Sequence, residues 1–274
     1  MLNIFIGILL SSSISIYAFK KRSLSKSGTL SAILLGSLLY LFGGFYFFAL
    51  MISFFISSSL LTKFKKNKKE ELEIMHEKTG NRDYTQVFSN SFAAIVYAFL
   101  YYITSMHVFI LAFATVFSAT NSDTWASELG VLSKKRPFSI LNGKILQRGM
   151  SGGITSLGTL ASFFGALLVS FVFVVGYVFK FNGIKGFKDI IVSFILILTG
   201  GFLGSIIDSI LGASIQGIYE NIKTKQITEK RFENGMENKL IRGFKFINNN
   251  MVNFLSSLLA SVLVVVVYYF VLNN

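Results

Sequence analysis

The sequence contains no cysteine among its 274 residues and only one proline, Pro137. Without cysteine there is no disulfide framework, no thiol chemistry and no zinc–thiolate site. Charged residues are also scarce: they make up 14% of the chain, against about 25% in a soluble domain. These shortages exclude a secreted disulfide scaffold and argue against an ordinary soluble enzyme.

Apolar residues dominate instead, and they are concentrated in long runs. They form 53% of the chain, including 30 Phe, while the 26 Lys and Arg lie outside the long apolar runs. A membrane-spanning helix needs about 20 mainly apolar residues. The sequence therefore predicts an all-α, polytopic membrane helix bundle that forms a single domain, 1–274. The net charge of +13 fits cytosolic loops that meet anionic lipid headgroups, so no nucleic-acid partner is predicted.

The apolar runs predict about eight transmembrane helices. The run 28–61 is too long for one span, and Gly43 and Gly44 interrupt it, so it predicts two helices joined by a tight outer turn. The predicted helices are 2–19, 28–42, 45–61, 87–104, 106–122, 151–179, 190–217 and 251–272.

The hydrophilic segments between these helices carry most of the basic residues. By the positive-inside rule they lie in the cytosol, with both termini outside. The first segment predicts an exposed helix ended by Gly80. His76 in that helix is interpreted as a surface histidine, because no second metal-binding residue has suitable spacing. The three segments lie near 62–86, 131–150 and 219–250.

Asp123, Glu128 and Asp208 are acidic residues embedded in apolar, helix-like sequence. A charge in hydrocarbon is disfavoured by about 2.5–3.5 kcal/mol on insertion scales, so a functional site is the default hypothesis. The alternative is a hydrogen-bonded helix interface. We predict that Asp123 and Asp208 bind Mg²⁺ and are catalytic, with Glu128 in support. Asp123 and Glu128 are about 140° apart on an ideal helix and cannot both face one ion unless the helix ends or unwinds between them.

Basic residues, glycines and amides converge on the same cytosolic side in this topology. Cationic side chains and a glycine-rich helix N-terminus suit phosphate oxygens. The predicted nucleotide- or phosphate-binding residues are Arg82, Lys144, Arg148, Gly149, Gly152 and Gly153. Further polar residues, for substrate binding or structure, are Asp83, Asn90, Asn121 and Gln216. This chemistry is typical of phosphoryl or nucleotidyl transfer, although the chain contains no P-loop motif.

Four ordered blocks resemble the integral membrane family that contains transmembrane protein 19 and plant phytyl-phosphate kinase. They read G-N-R-D-Y-T-Q-V (80–87), S-A-T-N-S-D-T-W-A-S-E-L-G (118–130), R-G-M-S-G-G-I-T (148–155) and G-S-I-I-D-S-I-L-G-A-S-I-Q (204–216). The second block and its basic loop are also distantly similar to CDP-diacylglycerol synthases and dolichol kinases, which use CTP. Ser91 stands where the family pattern has glycine, and Met150-Ser151 replace Thr-Asn. The resemblance implies a kinase of an isoprenoid alcohol or its monophosphate.

Three hypotheses of function follow. The first is a multi-pass membrane kinase, dependent on CTP or another nucleoside triphosphate, that acts on an isoprenoid alcohol or isoprenoid monophosphate from its cytosolic side. The second is a transporter or lipid-handling membrane protein whose buried carboxylates serve a cation or proton path. The third is nucleotidyl transfer onto a phospholipid. A transporter usually places its charges near the bilayer midplane, whereas these crowd the inner mouth, which favours the first hypothesis.

Overall fold

The computed structural model describes residues 2–65, 67, 69, 81–181 and 186–272. The exposed helix predicted within 62–84 and His76 lie outside these residues. The described part of the chain forms seven helices: α1 Leu2–Lys20, α2 Lys26–Lys63, α3 Tyr84–Thr104, α4 His107–Gly130, α5 Ser156–Phe181, α6 Phe187–Ser214 and α7 Asn249–Leu272. All of them except α4 are long and apolar enough to cross a membrane. The predicted polytopic helical membrane bundle is therefore confirmed.

Helix α2 is a helical hairpin with its turn at Gly44. This residue has φ 68° and ψ −159°, which is not helical. A Cβ atom on Gly36 would lie 3.4 Å from Cε of Met51, whereas a straight helix would separate these residues by about 22 Å. The two halves therefore run antiparallel, as the predicted turn at Gly43-Gly44 requires. Counting them separately gives eight helical segments, which is compatible with the predicted number.

Helix α4 is the centre of the bundle. Val108 and all residues from Ile110 to Ser122 are buried. The glycine face of α6 lies against it: a Cβ on Gly201 would overlap Ser118, and one on Gly204 would overlap Ala119. Small residues at helix interfaces allow such close approach in a membrane. The spaced glycines of α6 therefore have a packing role, which also brings Asp208 on the same helix next to α4.

Most of the predicted site residues lie toward one end of the bundle, which we call the polar end. Helix α1 ends there, and α3, α5 and α7 begin there. It also carries seven short strands among the described residues, which the sequence did not predict: β1 Phe138–Ser139, β2 Gly153–Ile154, β3 Ile218–Glu220, β4 Ile227–Thr228, β5 Phe232–Glu233, β6 Met236–Glu237 and β7 Lys239–Arg242. They form antiparallel sheets β1–β2, β4–β3–β7 and β5–β6. We call 218–242 the β module.

Three of the differences between predicted and observed helix boundaries affect predicted site residues. Helix α4 continues eight residues beyond the predicted end at 122, so Asp123 and Glu128 lie inside it. Helix α5 begins at Ser156 rather than 151, because the preceding residues pair β2 with β1. The predicted glycine-rich helix N-terminus is therefore wrong: Gly149, Gly152 and Gly153 lie in a loop and a strand before the helix.

The predicted helix 190–217 also ends early. Helix α6 stops at Ser214, and the chain then forms a parallel bridge between Gln216 and Phe244. Gln216 therefore lies beyond the helix and not in its inner half, which corrects the prediction.

Candidate functional site

A cavity of about 440 Å³ opens at the polar end and is lined by residues of α2 to α7. Cavities that bind small molecules typically measure about 300–1,000 Å³. The structure brings nine of the predicted site residues to this wall: Arg82, Asn90, Asp123, Glu128, Arg148, Gly149, Gly152, Gly153 and Asp208.

Asp123 of α4 and Asp208 of α6 form an acidic pair at the base of the cavity. Their carboxyl groups lie within hydrogen-bonding reach of each other. The Ser256 hydroxyl of α7 donates to Oδ2 of Asp208 at 3.0 Å. The amide of Asn253, oriented with its nitrogen toward this oxygen, donates to it at 3.1 Å. Two ionised carboxylates at this separation repel each other, so a proton or a cation between them relieves the repulsion.

The donor set of this pair fits Mg²⁺ shared with a phosphate ligand. No group of three or more His, Cys, Asp or Glu residues with metal-binding geometry occurs in the described part of the chain. A closed structural metal site is therefore not built from these residues. Mg²⁺, however, is usually bound by one or two carboxylates together with substrate phosphates, and Asp123 and Asp208 supply two.

Glu128 lies on the same cavity wall but faces a different group. Its Oε2 accepts a hydrogen bond from Nζ of Lys69 at 2.6 Å, and its Oε1 accepts one from the Thr62 hydroxyl at 2.6 Å. Helix α4 is unbroken between Asp123 and Glu128, so the two carboxylates point in different directions, as their spacing demands. Glu128 thus binds residues at and after the end of α2 to helix α4. Its supporting role in catalysis stays a prediction.

Arg82 brings a partly buried positive charge to the cavity. The backbone N–H of Arg82 donates to the Ser23 carbonyl, and the Arg82 carbonyl accepts from the Ser25 N–H. The guanidinium donates to the hydroxyls of Ser59 at 2.8 Å and Ser58 at 3.1 Å. Burial lowers the pKa of Arg82 to about 10, partly opposed by the nearby charge of Glu128. The side chain is therefore still cationic at neutral pH and can attract an anion.

The loop 148–153, which we call the glycine loop, also lines the cavity. Gly149 and Gly152 have φ of 79° and 81°, a conformation that side chains disfavour. A Cβ on Gly152 would overlap Ala213 of α6. The loop backbone therefore packs against the end of α6, the helix that carries Asp208 of the acidic pair. The exposed Arg148 donates to the carbonyl of Lys134 at 3.1 Å.

Four predicted residues do not line the cavity in the described structure. Lys144 is exposed in the β1–β2 region. Asp83 is the N-cap of α3 and forms a capping box with Gln86. Oδ1 of Asn121 accepts from Ser57 at 2.9 Å, and its Nδ2 donates to the Gly165 carbonyl at 2.8 Å. Asp83 and Asn121 therefore have structural contacts.

Two buried amides lack partners among the described residues. Asn90 lines the cavity with 8% of its surface exposed, and its Oδ1 has no hydrogen bond. Gln216 is the fourth predicted residue that does not line the cavity. It is 1% exposed, and neither polar atom of its side chain has a hydrogen-bond partner among the described residues. An unsatisfied buried polar atom costs about 1–3 kcal/mol, so both positions suit a polar ligand or a water.

Sequence reasoning missed two charged residues of the β module. Oε1 of the buried Glu229 accepts a hydrogen bond from Ser151 in the glycine loop. Arg242 donates to the Gly212 carbonyl of α6 at 3.0 Å. Burial lowers the pKa of Arg242, and the charge of Glu229 opposes that shift. No local signal distinguishes these residues from other charges in a hydrophilic segment, because their partners lie far away in the sequence.

Comparison with known proteins agrees with the family resemblance. Protein PGR of Arabidopsis thaliana is 30% identical to the chain, covering 94% of it and 93% of the relative. The uncharacterized membrane protein MJ0933 of Methanocaldococcus jannaschii is 30% identical over 81% of the chain and 87% of the relative. The chloroplastic protein VTE6 of Arabidopsis thaliana is 28% identical over 92% of the chain and 67% of the relative.

No solved structure matches the chain. The family model described as integral membrane protein DUF92 matches residues 9–261. The chain is therefore a multi-pass membrane protein that belongs to the DUF92 integral membrane family.

Proposed function

We propose that this protein is a membrane-embedded kinase that transfers a phosphoryl group from a nucleoside triphosphate, with CTP as first candidate, to an isoprenoid alcohol or isoprenoid monophosphate. One observation carries the proposal: a carboxylate pair, a partly buried arginine and a glycine loop line the same cavity at the polar end. Phosphoryl transfer depends on positioning and on charge neutralisation, and these are the groups that it requires.

The acidic pair would hold Mg²⁺ on the nucleotide. Bound there, Mg²⁺ would neutralise phosphate oxygens and the charge that develops on them during transfer. The hydroxyl of Ser256 and the amide of Asn253 fix one oxygen of Asp208. This leaves the other oxygen, and the facing carboxylate of Asp123, to point into the cavity.

The glycine loop and the arginines would bind the phosphates. With no side chains at Gly149 and Gly152, the loop backbone can approach a phosphate closely, and its N–H groups can donate to the oxygens. Arg82 would act from another part of the wall, where partial removal from water strengthens its attraction for an anion. Arg148 is more exposed and would contact the outer part of the nucleotide.

The reaction requires the acceptor oxygen to attack the γ-phosphorus while the bond to the bridging oxygen breaks. The nucleoside diphosphate then leaves. If the acceptor is an alcohol, its proton passes to a carboxylate, and Asp123 lies on the cavity wall for that role. If the acceptor is a monophosphate, its ionised oxygen attacks directly. The loops of the polar end would face the cytosol, because they carry most of the basic residues.

An assay on purified protein in detergent tests the proposal. The protein is incubated with Mg²⁺, with labelled CTP, ATP or GTP, and with phytyl, geranylgeranyl or farnesyl phosphate or the corresponding alcohols. Phosphatidic acid is included as the acceptor of a nucleotidyl transferase. Phosphorylated isoprenoid product supports the kinase. Transfer of a whole nucleotide to phosphatidic acid, or no transfer with any pair, overturns it and favours the phospholipid or transport hypothesis.

A further inference from the structure

A second, apolar pocket adjoins the cavity between α1, both halves of α2, and α3. Three polar residues, Arg82, Gln86 and Asn90, line both spaces. The apolar part of its wall is formed by Ile14, Ala32, Leu35, Phe48, Met51 and Phe55, among others. The two spaces therefore share a polar junction, with the nucleotide-sized cavity on one side and an apolar pocket on the other.

The apolar wall of the pocket lies within the membrane-spanning lengths of α1 and α2. Ile14 is six residues before the end of α1, and Ala32 is six residues after the start of α2. At 1.5 Å per residue both lie about 9 Å inside the polar ends of their helices. An occupant at this depth comes from the membrane and is apolar.

The junction suits a phosphate or hydroxyl head. Oδ1 of Asn90 is a buried acceptor without a partner among the described residues, and a hydroxyl or a protonated phosphate oxygen would satisfy it. The Arg82 guanidinium lies 5.8 Å and 5.7 Å from the ring centres of Phe54 and Phe55. The positive charge of Arg82 thus lies at the edge of the apolar wall, and the guanidinium can pair with an anionic head group.

We propose that this pocket binds the single isoprenoid chain of the acceptor and directs its head, between Arg82 and Asn90, toward the acidic pair. The proposal rests on the kinase function. The pocket encloses only about 50 Å³, so it receives the carbons of the chain nearest the head, and the two-chain glycerol backbone of a diacyl lipid does not fit. The pocket thereby selects prenyl phosphates over phosphatidate-type acceptors.

Photolabelling tests the pocket without requiring turnover. Purified protein is irradiated with a farnesyl phosphate analogue that carries a diazirine on its chain, in the absence of nucleotide, and labelled peptides are mapped. Labels are expected in the pocket segments of α1, α2 and α3, and geranylgeranyl phosphate should compete for them. Labels spread evenly over lipid-facing helices, or equal competition by phosphatidic acid, would overturn the proposal.

A matched pair of variants sharpens the test. Ala32→Phe fills the pocket, whereas Leu34→Phe adds an aromatic ring on an exposed face of the same helix. Labelling of Ala32→Phe should fall about tenfold or more, since excluding two methylene groups of the chain already has that effect, while Leu34→Phe should label as the wild type does. Ala32→Leu serves if the larger variant does not fold. Undiminished labelling in a folded Ala32 variant contradicts the proposal. Pocket labelling without kinase activity would refute the proposed function alone.

Discussion

The substitution Asp208→Asn separates catalysis from packing. Asparagine keeps the shape of the side chain and its acceptor for Ser256, but it removes one of two adjacent charges. Two ionised groups about 4 Å apart repel by about 4 kcal/mol at an effective dielectric constant of about 20. Asn at this position has no such repulsion and can donate to Asp123, so the free energy of unfolding should stay constant or rise by about 1 kcal/mol.

Turnover should respond in the opposite way. Removing one charge-stabilising group from an active site typically lowers kcat by about 10²–10³-fold, and Asp208 is one of only two carboxylates in the predicted Mg²⁺ site. Turnover against Mg²⁺ concentration is measured beside a thermal melt for each variant. We expect kcat to fall at least about 100-fold, with a higher Mg²⁺ requirement and an unchanged or higher Tm.

Asp189→Asn is the matched control. It makes the same chemical change in the first turn of α6, about 28 Å from Asp208 along the helix, and should leave turnover unchanged. Wild-type turnover in Asp208→Asn would place that residue in helix packing and leave the site without its second metal ligand. A large loss of Tm in Asp208→Asn would show that the carboxylate has a structural role and would equally refute the reasoning.

Three further predictions concern the loops and the topology. Arg148→Ala should raise the KM for the nucleotide in steady-state assays, and Arg148→Lys should restore it only in part, since lysine lacks the bidentate fork; Lys144→Ala is the comparison outside the cavity, and equal effects of both alanines would contradict the assignment. Gly152→Ala should lower Tm more than Gly143→Ala in a thermal melt, because both glycines have positive φ but only Gly152 abuts Ala213; equal melting points would refute the packing argument. A single cysteine at Lys135, in a chain that otherwise has none, should react with an impermeant thiol reagent only from the cytosolic side; reaction from outside would reverse the orientation.

The helices could be predicted from sequence because they depend on local hydropathy. The runs of apolar residues predict the existence and order of α1 to α7, with ends that differ from the observed ones by up to eight residues. The Gly43-Gly44 interruption predicts the α2 hairpin. The meeting of Asp123 with Asp208 was also predictable, since the alternation of spans brings the ends of α4 and α6 to one side. Membrane topology places both carboxylates on one side, and the packing of the α6 glycines against α4 brings them together.

The polar end could not be predicted in the same detail. The pairing of Lys69 with Glu128 and of Ser151 with Glu229 joins residues 59 and 78 positions apart, and no local pattern indicates such contacts. The short strands have too few residues to show a period of two. Helix α5 begins only at Ser156 because the residues before it pair with β1, a contact with a segment about 15 positions away that no local pattern indicates.

The central claim is that the cavity transfers the terminal phosphate of a nucleotide to an isoprenoid. The most direct measurement compares CTP labelled in the γ-phosphate with CTP labelled in the α-phosphate, each incubated with geranylgeranyl phosphate, Mg²⁺ and the purified protein. Only the γ-label should appear in the lipid product, and it should disappear in Asp208→Asn but persist in Asp189→Asn. The appearance of the α-label in lipid, or γ-transfer that persists in Asp208→Asn, would contradict the account.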